Sequence, residues 1–387
     1  MFSKYNYNFF SLSKDKIFII ILLLIISSCK ITKVSELTPK ENKAEVLDFK
    51  CVFYNCENLF DIIDDTLTND DEYLSFNPKN WDTIKYNEKL NHVSEIITEI
   101  GQGKFPAIVG LCEVENRQVL EDLINKPNLI SASYKIEHFD SQDYRGMDVA
   151  LLYDSNIFFP INSSSLPVCL AAELNTFKTR DILYVKGLIN GIFIHVFVNH
   201  WPSQWAGKVE TEKSRFAAAA VLRNAIDSIF ITEPHANILI IGDFNDTPLD
   251  LSITEVLQVK NDFSEISEEN LYNLSYYSFA NYGSWSYKEL GEYKIIDQTI
   301  VSGNLLNPKN PVYLNLYDMH VYNNEKLLQP DTVYGGYKPF NTYQFNNYAR
   351  GYSDHLPVFL HFKNNYTFVN ILKSNILKKK VLKNNYN

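Results

Sequence analysis

Two apolar runs joined by Asn190-Gly191, "ILYVKGLI" and "IFIHVFVNH", constrain the fold more than any other stretch. Asn-Gly tolerates the left-handed backbone of a two-residue turn, so the flanking runs predict adjacent antiparallel strands. A third run, "NILIIGD", is apolar from Ile238 to Ile241 and predicts a strand buried on both faces. A hairpin together with a doubly covered strand excludes a purely parallel sheet and predicts a mixed one.

The remaining elements fit one α/β domain over residues 49–362. Residues 49–56, 107–113, "MDVALLYD", "IIDQTIVS" and "LPVFLHF" read as strands. Ile84, Leu90, Val93, Ile96, Ile97 and Ile100 recur at mostly helical spacing and predict a helix over 83–100. Asn116 is placed to cap a short helix through Ile124, and residues 210–230 form an Ala-rich helix. The acidic stretch 61–82 reads as a loop. There is no internal repeat and no linker to a second domain.

The two ends differ from this body. Lys4, Lys14 and Lys16 flank the start of an apolar run, Ile17 to Ile26, which as a helix rises only about 15 Å and is too short to span a bilayer. Residues 1–28 therefore read as a signal peptide. Ile26-Ser27-Ser28-Cys29 resembles a bacterial lipoprotein box, which implies lipid attachment at Cys29 and a membrane-held place in the cell envelope. Residues 29–48 then form a polar tether. Residues 363–387 are Lys-rich, show no helical face and read as a disordered basic tail. The chain carries net −10 although both ends are basic, so the body is more acidic still. Such a surface does not draw a polyanion from a distance. Phosphate chemistry here must rest on bound metal or a few local Arg and Lys. Cys51, Cys56, Cys112 and Cys169 lack metal-type spacing and read as buried free thiols.

The informative pattern is the chemistry at the strand ends. Asn55 and Glu57, Glu113, His200, Asp243 and Asn245, Asp297, and Asp354-His355 each stand where an apolar strand starts or stops. One such residue is explained by a turn, as Asp and Asn in "GDFND" by an Asx-turn. A whole series at strand termini is not. Alternation puts Asn55 and Glu57 on one face of their strand. Carboxylate and amide oxygens suit Mg²⁺, Mn²⁺ or Ca²⁺. Two histidines with Asp partners suit acid–base catalysis near neutral pH. With no Gly-rich phosphate loop and no serine elbow, the inventory points to metal-assisted attack by water.

The series "YNCENLFD", "GLCEVENR", "YRGMDVALLYD", "VNHWPS", "IGDFNDTP", "IIDQTIVS" and "GYSDHLPV" resembles the endonuclease/exonuclease/phosphatase superfamily, over roughly residues 49–362. The resemblance implies a deoxyribonuclease-like four-layer α/β sandwich, with two packed mixed sheets, outer helices and a site at one end. It implies Glu113 as principal metal ligand, Asn55 beside metal and phosphate, and Glu57 and Asp354 as weaker or alternative ligands. His355 would contact the scissile phosphate as base or charge stabiliser, with Asp297 fixing its tautomer. Asp243 would orient or deprotonate water, Asn245 would donate to a phosphate oxygen, and His200 would be a second imidazole and general acid. Arg145 would clamp phosphate or anchor a loop, supported by Asp148, which is alternatively a partner of His200. Cys56 and Cys112 would face the far side of the sheet.

The activity so implied is a Mg²⁺- or Mn²⁺-dependent phosphoester hydrolase, with Ca²⁺ as an auxiliary ion. The leading substrate is nucleic acid, cleaved by a monomer. Lipid headgroups or inositol phosphates are the alternative, and a non-catalytic surface binding protein ranks last because the polar set is intact. Trp205 and Lys208 lie on a loop that faces substrate in this picture, and the aromatic stretch "YGSWSY" (282–287) reads as packing.

Overall fold

The computed structural model describes residues 48–170 and 178–365. The expected signal peptide, Cys29 anchor, most of the tether and most of the basic tail lie outside the described residues.

The chain opens with β1 (Phe49–Leu59), followed by α1 (Thr83–Gly101), β2 (Ile108–Val114), α2 (Arg117–Ile124), β3 (Tyr134–His138), β4 (Asp148–Asp154) and β5 (Phe158–Leu166). The hairpin strands β6 (Ile182–Ile189) and β7 (Ile192–His200) come next, then α3 (Lys208–Thr232) and β8 (Ile238–Asp243). Short strands β9 (Val259–Lys260) and β10 (Leu271–Asn273) precede α4 (Leu274–Tyr282). A small hairpin, β11 (Tyr287–Glu289) and β12 (Glu292–Lys294), leads into β13 (Asp297–Ser302). The last third adds β14 (Val312–Tyr313), β15 (Met319–Val321), β16 (Leu328–Pro330), β17 (Tyr337–Pro339), β18 (Tyr343–Gln344), β19 (Asn347–Tyr348) and β20 (Val358–Asn364).

Two seven-stranded mixed sheets carry the fold. One runs β14-β20-β1-β2-β4-β3, with β15 also paired to β20; the other runs β5-β6-β7-β8-β13-β10-β9. The pairs β1–β2 and β7–β8 are parallel, and the hairpin β6–β7 is antiparallel. At its turn Asn190 and Gly191 have φ of 47° and 85°, the left-handed values the sequence called for. Between the sheets lies a dry layer that includes Phe53, Cys112, Leu151, Val196, Ile241 and Val358. The outer face of the first sheet is covered by α1 and α2, and that of the second by α3. Helices, sheet, sheet and helix make the four-layer sandwich that the resemblance implied.

Local chemistry explains the boundaries. Asp82 caps α1 by accepting from the amides of Ile84 and Lys85, both at 2.9 Å, a contribution of about 1 kcal/mol. Leu90, Val93, Ile96, Ile97 and Ile100 of α1 are buried against the sheet, each worth about 1.5–3 kcal/mol relative to exposure. Asn116 caps α2 through the Val119 amide at 2.9 Å, as expected. At the far end of β8, Gly242 lets two strands close up: a Cβ there would lie 2.5 Å from the Asn199 carbonyl oxygen. Any side chain at 242 would therefore displace Asp243, the next residue.

Candidate functional site

Simple alternation does not build the site; two departures from it do. Along β1, Cys51 and Phe53 face the inter-sheet layer and Val52, Tyr54 and Cys56 face α1, so Asn55 points to the mouth between the sheets. Glu57 would follow Asn55, but its φ is 49° and that of Asn58 is 58°. This left-handed turn sends the Glu57 carboxylate the other way. There it accepts from the Thr342 amide at 2.6 Å and lies 3.9 Å from the fully buried ammonium of Lys89 in α1. On β2 the opposite happens. Cys112 faces the inter-sheet layer and Glu113 would face α1, yet a φ of 58° and a slip in register turn Glu113 into the mouth. The expectation that Cys112 lies on the far side with Cys56 is thereby corrected: the two thiols face opposite layers. Cys51, Cys56 and Cys112 are buried free thiols, and Cys169, expected to be buried, is free and exposed.

Four strand ends then converge on one polar pocket of about 380 Å³. Glu113, His200, Asp243, Asn245, Asp354 and His355 line it together with Arg145, and Trp205 and Tyr287 also border it. Asn55 bridges the sheets, its Nδ2 donating to Glu113 Oε1 at 3.2 Å and to Asp243 Oδ2 at 3.0 Å. Its Oδ1 accepts from the Glu57 amide at 2.9 Å. Asn55 is thus placed as a donor between two carboxylates. Glu113 Oε2 also accepts from the Asn58 amide at 2.9 Å. Asn245, with φ 51°, donates its amide to Asp243 Oδ1 at 2.9 Å and its side chain to the Trp201 carbonyl at 3.0 Å.

The two imidazoles meet at one oxygen. His200 Nε2 lies 3.7 Å and His355 Nε2 3.8 Å from Asp243 Oδ2. Their surroundings push their titrations apart. Burial, with the cationic fields of Arg180 and Arg145, holds His200 well below the usual imidazole range. Burial alone would do the same to His355, but the carboxylates of Asp297, Asp354 and Asp243 override it and hold His355 well above that range. Asp297 Oδ2 lies 2.7 Å from His355 Nδ1, the tautomer-fixing contact the resemblance implied. Tyr287 stacks on the His355 ring at 4.7 Å. Asp243 is pushed up to about 7, first by burial and then by Asp297 against the opposing pull of His355. The downward shift of His200 runs against the general-acid role expected of it.

Arg145 reaches the pocket from the loop between β3 and β4, gripped by Asp143 at 3.2 Å and 3.3 Å. Asp148 does not support it. That carboxylate is turned to His138 Nε2 at 3.0 Å and to the Ser141 amide at 2.8 Å, so both expected partners, Arg145 and His200, are corrected.

Groups able to hold a metal are present. Asp354 Oδ1 is buried with no hydrogen-bond partner, and burial raises the Asp354 carboxyl to about 6, opposed by His355 and reinforced by Glu113. A buried carboxylate oxygen that makes no hydrogen bond, 4.0 Å from His355 Nε2, fits a divalent cation. Glu57, engaged by Thr342 and Lys89, and Asn55, facing with its N–H groups, fit less well. Asp243, Asp297 and His355 also cluster with ligand atoms within 4.8 Å, but Asp297 and His355 are spent on each other.

Sequence reasoning missed Arg180, which lies behind Arg145 and pairs with Asp143 at 3.2 Å. Its signal in the sequence is a cation two residues before a buried strand. It also read Tyr287 as packing, because an aromatic two residues from a Trp carries no mark of a catalytic neighbour.

The family model described as the endonuclease/exonuclease/phosphatase family matches residues 50–364. No curated protein matches the sequence. Among solved structures, TDP2 of D. rerio humanized by 14 mutations aligns with a TM-score of 0.51 at 12% identity, covering 82% of this chain and 99% of that one. Truncated TDP2 of Caenorhabditis elegans aligns with a TM-score of 0.50 at 16% identity, covering 82% and 98%. The Bacteroides thetaiotaomicron mannosyl-6-phosphatase gives 0.47 at 14% identity, covering 81% and 99%. At these identities the likeness is one of fold. The match over nearly all the described residues, on the site just built, makes this chain a member of the endonuclease/exonuclease/phosphatase family, a hydrolase of phosphoester bonds.

Proposed function

We propose that the chain is a phosphodiesterase acting on nucleic acid, with water as the nucleophile and Mg²⁺ or Mn²⁺ as the metal. The observation that carries the mechanism is the meeting of the His200 and His355 Nε2 atoms at Asp243 Oδ2. Pairs of titratable groups pushed apart by their surroundings mark the acid and base assignments of a site. Asp243, poised at about 7, takes the proton from the attacking water. His355 enters protonated and faces the phosphoryl group as charge and proton source, with Asp297 setting its ring. His200 enters neutral and offers a hydrogen bond. Asn245 and Arg145 hold the non-bridging oxygens as water attacks phosphorus and the bond to the leaving oxygen breaks. A divalent cation at Glu113 and Asp354 would neutralise charge developing on the phosphoryl oxygens.

Trp205 supports a nucleic acid substrate. It is 94% exposed at the pocket, where its face is free to stack on a base, a contact worth about 1–3 kcal/mol. A second reading, a small phosphorylated headgroup or inositol phosphate, is favoured by the acidic body, which repels a long polyanion. One paired assay separates them, with plasmid and single-stranded DNA in one panel and sphingomyelin and inositol phosphates in the other, each with Mg²⁺, Mn²⁺ or EDTA. Metal-dependent DNA cleavage supports the first reading. Turnover of the small substrates with DNA untouched replaces it with the second.

A lipid anchor at Cys29, a membrane-held place in a bacterial envelope and a monomeric state remain part of this proposal, carried by the sequence alone.

A further inference from the structure

The site is divided between the sheets. Glu113 and Arg145 come from the first, on β2 and the β3–β4 loop; His200, Asp243 and Asn245 come from the ends of β7 and β8 in the second. Besides Asn55, a second buried side chain joins the two halves. Arg180, 6% exposed and two residues before β6, donates Nη1 to Asp143 Oδ2 at 3.2 Å and Nη2 to the Trp201 carbonyl at 2.7 Å. Asp143 is itself buried and holds Arg145 through Nε, Nη2 and the backbone amide. The Trp201 carbonyl also receives Asn245 Nδ2, and the Trp201 amide donates to the Asp243 carbonyl at 2.9 Å. Arg145 so held lines the pocket.

We propose that Arg180 is a positioning residue: through Asp143 it sets Arg145, and through the Trp201 carbonyl it sets Asn245, so that both phosphate-facing groups hold a fixed distance across the sheet boundary. This rests on the phosphoester reading of the pocket. A guanidinium suits the task because its rigid fork serves two acceptors at once, which an ammonium does in no fixed geometry. Displacement of a binding group by about 1 Å costs up to about a hundredfold in rate, so a tie of this kind is felt in binding and turnover.

The test is a double-mutant cycle on the full chain, read as the affinity for inorganic phosphate by calorimetry. Arg145→Met and Arg180→Met should each weaken phosphate at least about fivefold, and the double variant no more than about twofold beyond the weaker single, because both remove one contact. Asp143→Asn should lose no more affinity than Arg180→Met, because it cuts the Arg145 branch and leaves the Trp201 branch in place. Equal affinity in Arg180→Met and wild type, or a double variant whose loss is the product of the singles, overturns the proposal, as does a wild-type chain that binds no phosphate. Should Arg180→Met fail to fold by circular dichroism, Arg180→Lys, which keeps the charge and loses the fork, takes its place with the same expected pattern. The phosphodiesterase reading fails separately, if wild type shows this phosphate cycle but hydrolyses no phosphoester with metal present.

Discussion

Replacing Asp297 by Asn tests the reading of His355 at a single atom. The amide keeps an acceptor near His355 Nδ1, now 2.7 Å from a carboxylate oxygen, and removes only the charge. Hydrogen bonds to charged groups contribute about 1.5–3 kcal/mol and are roughly twice as strong as neutral ones, so about 1 kcal/mol is lost, roughly fivefold in kcat/KM near pH 6. The pH dependence is the sharper readout. His355 is held well above the usual imidazole range, so the stability it contributes is full below its unfolded value of about 6.5 and disappears as pH rises through the folded value. Removing the Asp297 charge lowers that folded value. The alkaline limb of the rate profile should therefore move to lower pH in the variant, and the melting-temperature gap from wild type should shrink as pH rises. The assay is hydrolysis of bis-p-nitrophenyl phosphate from pH 5 to 10 with Mg²⁺, alongside thermal melts. An unchanged alkaline limb would refute the assignment of His355 as a protonated participant.

Other outcomes follow from the same geometry. Glu113→Ala and His355→Ala should each reduce turnover at least about a hundredfold with folding intact by circular dichroism. Lys89→Met leaves the Glu57 carboxylate without its buried cation and should cost about 3–5 kcal/mol at pH 8, while Lys89→Met with Glu57→Gln should recover most of it, as read by denaturant melts. Because Glu57 is raised to about 7, chiefly by burial and then by Asp354, the cost of the single variant should shrink below that pH. Trp205→Ala should leave stability within about 0.5 kcal/mol and raise KM for DNA but not for bis-p-nitrophenyl phosphate. The acid limb of the wild-type profile should fall near 7, where Asp243 loses its base form.

Much of the fold was legible because its signals are local. Asn190-Gly191 marks its own turn, Asn116 its own cap, and "ILII" its own burial. The pairing of His355 with Asp297 was legible only through the motifs that carry them, 58 residues apart. What could not be read is conformational or non-local. Alternation assumes extended backbone, and at Glu57 and Glu113 the backbone is left-handed, so the Glu57 carboxylate leaves the mouth that alternation gave it, while Glu113 enters the mouth as expected although Cys112 faces the same layer. Neither residue is Gly or Asn, the types that would have announced such a turn. Asp148 lies at a strand start like the site residues, yet its partner is His138 on the adjacent strand, a pairing set by sheet register. Arg180 meets Asp143 across 37 residues with no motif to link them.

The most direct measurement is the rate of bis-p-nitrophenyl phosphate hydrolysis by wild type and Glu113→Ala as Mn²⁺ is titrated into metal-free protein. The account predicts saturable activation of wild type, abolished by EDTA, and a loss of at least about a hundredfold in the variant at every metal concentration. Equal turnover in the two proteins, or full turnover by wild type in EDTA, would contradict it.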